Sequence, residues 1–187
     1  MNRINLTALA TALMLAVSGG AFAMTKAEYK ASKDEASAKY KSEKAACKSM
    51  SGNAKDICME EAKGREKVAK ADAEAVFEPT DRHRYDARLT KAKAVYNVAK
   101  EKCDDQTGNA KDVCRKEAKA AFVSAKADAK VAKKTADAGN DKVAARKDAA
   151  EDKRGAQYNV AKEKCDALAG EAKSNCVKDA KAKYGQS

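Results

Sequence analysis

YNVAKEKCDDQTGNAKDVCRKEAKA, residues 96–120, places two cysteines symmetrically about a Gly-Asn pair inside an otherwise Ala/Lys/Glu-rich run. Upstream, Tyr85, Leu89, Ala92, Tyr96, Ala99 and Cys103 follow one another at steps of four and three, the period of one helix face. Downstream, Cys114, Ala118, Ala121, Ala125, Ala129 and Ala132 form a second, nearly all-Ala stripe. Gly108 can take the left-handed conformation that ends a helix, and Asn109 can then cap the next one, with Asp112 in its first turn. Folding the stretch about Gly108 sets Cys103 opposite Cys114, Ala99 opposite Ala118 and Tyr96 opposite Ala121. Large residues then meet small ones, as close helix packing requires. The stretch predicts an antiparallel helical hairpin with a disulfide beside its turn.

The same skeleton, Tyr-x6-Cys-x4-Gly-x-Ala-Lys-x2-Cys-x2-(Glu/Asp)-Ala-Lys, occurs from Tyr40, from Tyr96 and from Tyr158. Tyr, both Cys and Gly recur in register, which marks an internal triplication. In the first unit Gly52, Asn53 and Asp56 repeat the turn, and Tyr40 falls beside Gly64. The third departs from the pattern, with Gly170 followed by Glu171 and then Ser174. Pro79, in Glu78-Pro79-Thr80-Asp81, and the group Gly139-Asn140-Asp141 punctuate the chain between units. The expected organisation is therefore a leader over 1–23 and helical hairpins over 24–80, 81–139 and 140–187. The fold class is all-α: three antiparallel, coiled-coil-like hairpins with Ala-rich seams.

Six cysteines allow fifteen pairings, and the repeat selects Cys47 with Cys58, Cys103 with Cys114 and Cys165 with Cys176. Zinc would call for Cys-x2-4-Cys pairs or histidine partners, and His83 is the only histidine. Thiol exchange would call for Cys-x-x-Cys, which is absent, although Lys48, Lys102 and Lys164 adjoin cysteines. The bridges read as structural staples.

Composition narrows the function. After residue 23 the chain holds two Leu, one Ile, ten Val and two Phe, about 9%. That is too little bulky apolar matter to line an enzyme's pocket. Ser42, Ser124 and Ser174 lack a nearby histidine or nucleophile-elbow glycines, and no Gly-rich phosphate loop occurs. His83 reads as an exposed first-turn residue, and Tyr40, Tyr96 and Tyr158 as packing near the bridges. The expectation is a protein without catalytic, cofactor or metal residues. The net charge of +11 is concentrated in the middle unit, where Lys126, Lys130, Lys133 and Lys134 are the candidate polyanion contact. They equally suit a helix C-terminal dipole. Interleaved carboxylates and sparse Arg argue against nucleic acid as the partner.

Arg3, the apolar run from Leu6 to Val17 and the Ala21-Phe22-Ala23 ending have the form of a signal peptide cleaved after Ala23. Export into an oxidising periplasm agrees with the cysteines, and no later stretch is apolar enough to span a bilayer. With the MTKAEYK start and its GNAKD-x-C-x3-AK units, the chain resembles a group of small exported Ala/Lys-rich proteins of Gram-negative bacteria, often labelled "cell envelope biogenesis protein TolA"-like. To TolA itself the likeness is one of composition, in its long helical region. The resemblance implies an envelope setting and carries no mechanism. Residues and resemblance together point to a non-enzymatic periplasmic interaction protein. Its partner would be an anionic envelope component or another periplasmic protein. The alternatives are a chaperone-like binder with apolar patches at Val76-Phe77 and Phe122-Val123, and a thiol–disulfide exchange protein.

Overall fold

The computed structural model describes residues 24–136 and 141–186. The expected leader, residues 1–23, and the expected Gly139-Asn140 boundary lie outside them. The described residues form helices and no strand: α1 Lys26–Cys47, α2 Gly52–Phe77, α3 Asp81–Cys103, α4 Gly108–Ala136, α5 Asp141–Cys165 and α6 Gly170–Tyr184. Disulfides join Cys47 to Cys58, Cys103 to Cys114 and Cys165 to Cys176, with Cα separations of 5.7, 5.6 and 5.7 Å. Three stapled helical hairpins are thus present, in the expected pairing.

Local chemistry sets the helix ends. Thr25 opens α1 with a capping box: its hydroxyl accepts the Glu28 N–H and its own N–H donates to the Glu28 carboxylate. Pro79 stands between α2 and α3, and the Thr80 hydroxyl accepts the His83 N–H at the start of α3. Gly108, with φ +57°, is the first residue of α4, and Gly52 and Gly170 open α2 and α6 in the same way. The left-handed glycine therefore begins the returning helix. Asp112 consequently lies beyond the first turn, which carries no acidic residue.

Packing is sequential. Among the described residues each helix contacts only its neighbours in the chain, from α1 on α2 through to α5 on α6, and no contact skips a helix. The three hairpins therefore stand side by side in one row instead of closing into a bundle. The buried residues are nearly all Ala and Cys, with Val160 the one larger side chain among those described. An Ala core gives each helix little apolar area to bury, but it lets helix axes approach closely.

A row requires two buried faces on each inner helix, whereas the periodicity of the sequence marks only one. On α4, Ala118 and Ala129 are buried as expected, whereas Ala121 and Ala125 of the same stripe are exposed. Tyr96 stacks on Phe122, the residue after Ala121, with ring centroids 5.2 Å apart. The second face holds Ala120 and Ala127, at 3% and 2% exposure. It lies on the side of Lys116 and Lys130, which reach Glu163 and Asp148 of α5 at 3.4 and 3.7 Å. Gly64 does the same for α2: a Cβ there would stand 3.0 Å from the Ala94 Cβ of α3. Its partner is thus the next hairpin, in addition to Tyr40 nearby in its own.

Candidate functional site

The disulfide end of the row is built for cohesion. The turns after α1, α3 and α5 all lie there, and Cys47, Cys103 and Cys165 are at most 1% exposed. Asn53 and Asn109, expected to cap their own helices, do something else. The Asn53 side-chain amide donates to the Glu101 carbonyl oxygen and to the Asp105 carboxylate, both at 2.7 Å. The Asn109 amide donates to the Glu163 carbonyl oxygen at 3.0 Å. Each Asn thus adds a second donor to a carbonyl at the C-terminal end of the first helix of the following hairpin, alongside the backbone N–H of Asp104 or of Asp166. Beside it, Lys111 and Arg115 hold the Asp104 carboxyl below its usual range by hydrogen bonds, and Lys173 does so for Asp166.

The open surface lies elsewhere. α1 and α3 do not touch, so a groove of about 730 Å³ runs between them over α2. Its floor is apolar, from Tyr40, Val68, Val98 and the Gly64–Ala94 contact. Val95 is 62% exposed at its edge and continues into a second groove along α3 and α4 that includes Ala121, Phe122 and Ala125. The rim carries both signs of charge, and part of it is paired: Arg65 with Glu43 at 3.1 Å and with Glu61 at 3.6 Å, and Lys102 with Glu61 at 3.9 Å, whereas Lys39, Lys91 and Asp72 of the same rim make no ion pair among the described residues. Tyr40 lines this groove, with Lys44 over its ring.

The four lysines near the end of α4 do not form one uniform patch. Lys130 pairs with Asp148, the Lys133 ammonium lies 5.3 Å from the Tyr85 ring centroid, and Lys126 is exposed. The expected apolar patches are likewise reduced. Phe77 stacks on Tyr29 with centroids 4.5 Å apart and Phe122 on Tyr96, which leaves Val76 as the exposed member, at 54%. His83 is not the exposed residue expected: its side chain is 23% exposed and sits where α2 passes into α3. The spacing Glu74-x3-Glu78-x4-His83 across Pro79 was the available signal, since an i, i+4 pair ending at a turn faces the start of the next helix.

No helix among the described residues is long and apolar enough to cross a membrane. Comparison with protein-family models, with curated proteins and with solved structures finds no match.

Proposed function

We propose that this chain is a non-enzymatic interaction protein of the bacterial periplasm, and that its groove between α1 and α3 receives an amphipathic helix of an envelope protein. The observation that carries this reading is the single row. Because every described helix packs only on its chain neighbours among the described residues, the faces of the row stay open, as in other stacked-repeat proteins that bind along an extended surface. An apolar floor with a rim of both charge signs matches a helix laid in a groove. It matches a uniform polyanion poorly, because Glu43, Glu61, Glu66 and Asp72 share the rim with its cations, two of which, Arg65 and Lys102, are already paired. Three disulfides support an oxidising compartment. The deeply buried cysteine of each bridge obstructs thiolate attack, which disfavours an exchange role.

A photo-crosslinking side chain placed in living cells at Val95 tests the groove, with Val143 of α5, 74% exposed, as the comparison position. The expected result is a discrete adduct with one envelope protein from position 95 and none from position 143. Equal labelling from both, or salt-sensitive sedimentation with anionic vesicles in place of any protein adduct, would overturn the reading.

A further inference from the structure

The far end of the first two hairpins has no disulfide, and there the chain brings its only histidine onto two glutamates. One ring nitrogen of His83 and one carboxylate oxygen each from Glu74 and Glu78 all lie within 4.8 Å of one another. We propose that Glu74, Glu78 and His83 form a binding site for a borderline first-row divalent cation, with Zn2+ as the reference ion, that clips α2 to α3.

Three features of the site go beyond proximity. First, the ligand set of one imidazole and two carboxylates suits such metals, and it leaves at least one coordination position open to water. Second, His83 is held in place. Its Nδ1 lies 2.9 Å from the Glu78 carbonyl oxygen; donating Nδ1–H there leaves the lone pair on Nε2. Metal-bound imidazoles ordinarily donate their other N–H to such an acceptor, and Glu74 is likewise oriented by the Tyr29 hydroxyl, which donates to it. Third, among the described residues neither carboxylate is tied up in an ion pair with a lysine or arginine; the Lys33 ammonium donates to the Tyr29 hydroxyl at 3.0 Å.

Binding needs one exposed side chain to rearrange. Tetrahedral ligands on bonds of about 2.1 Å stand about 3.4 Å apart. The Glu78 side chain is 56% exposed, with Oε2 3.7 Å from Nδ1, so it swings from the Nδ1 side of the ring to the Nε2 side while Glu74 and His83 stay on their helices. The clip would fasten the end of α2 to the start of α3 across Pro79, where the disulfides do not reach.

A lone histidine makes the test direct. The purified chain, carrying no added histidines, gives one set of imidazole resonances, which are followed by NMR while ZnCl2 is added. The melting temperature is recorded in parallel, because a ligand bound to the folded state raises it. The expected result is a saturable shift of the His83 signals at one equivalent and a raised melting temperature. His83→Ala removes the melting shift, and Glu74→Gln weakens binding by about tenfold or more, since even outer-shell losses reach that size. His83→Ala keeps the backbone N–H that Thr80 accepts, so α3 still starts normally. Unmoved His83 resonances would overturn the site, as would a melting shift that survives undiminished in His83→Ala. Neither result depends on the groove.

Discussion

Asn53 and Asn109 show how much one side chain does in a chain with so little apolar bulk. Each stands just after a left-handed glycine, where sequence reasoning assigns an N-cap, yet each reaches to the next hairpin's first helix. The third unit has Glu171 at this position, on α6, which among the described residues packs on α5 alone. The departure from the repeat therefore falls on a helix with no further hairpin packed against it among the described residues. A carboxylate there could not donate such a bond in any case. Asn109→Ala should cost about 1 kcal/mol, the usual net size of such a bond. Glu171→Ala should cost almost nothing. Urea denaturation of both variants measures the difference, and equal costs would remove the inter-hairpin role. Gly64 is the other such residue. Its missing Cβ sets the approach of α2 to α3, although in the repeat it reads only as the partner of Tyr40.

At the scale of the element, the helices and bridges were legible and the second buried face was not. The hairpin seam was visible because Tyr, Leu and Cys mark it every three to four residues. The seam between hairpins is made of Ala120, Ala127, Gly64 and Ala94, in a chain where Ala is everywhere, so periodicity carries no contrast. Polar groups reinforce these seams. Glu66 accepts from Lys70 at 2.7 Å and from Ser37 of α1 at 3.2 Å, and the lysine bond first, then the serine bond, hold its carboxyl below the ordinary 4.5. Glu60 is lowered similarly by Lys63 and, across to α3, by Asn97. A carboxylate with a lowered folded pKa stabilises the fold above its unfolded pKa, and that contribution disappears as pH falls through the folded value. Melting temperatures recorded from pH 6 downward should therefore begin to drop near 4.5 and keep dropping below it. Glu66→Gln should make that decline shallower. Rising net positive charge lowers stability in both proteins, so the comparison isolates the carboxylate. Parallel declines would show that Glu66 does not contribute.

For the whole molecule, the row implies that stability is local. A stacked array is held by each unit's own cohesion and its nearest-neighbour contacts, so its parts can open separately. The inner helices α2, α3, α4 and α5 each have two packed neighbours, while α1 and α6 have one among the described residues. At 15 residues α6 is also the shortest, against 25 for the α5 it lies on, so it covers only part of that helix. Much of its attachment then falls to the Cys165–Cys176 bridge. An eleven-residue separation gives about 3 kcal/mol in the chain-entropy model, a large share of what an Ala seam of one helix supplies. Hydrogen exchange followed by mass spectrometry should accordingly find α6 the least protected helix and α3 with α4 the most. Replacing Cys165 and Cys176 together by Ser should release α6 almost completely while leaving protection in α2 and α3 unchanged. The same replacement at Cys103 and Cys114 should loosen α3 and α4 at their turn yet leave them docked, because each keeps a second neighbour. Uniform protection along the chain, or a loss that spreads to α1 and α2 when the third bridge is removed, would mean that the three hairpins fold as one cooperative body despite packing in a row.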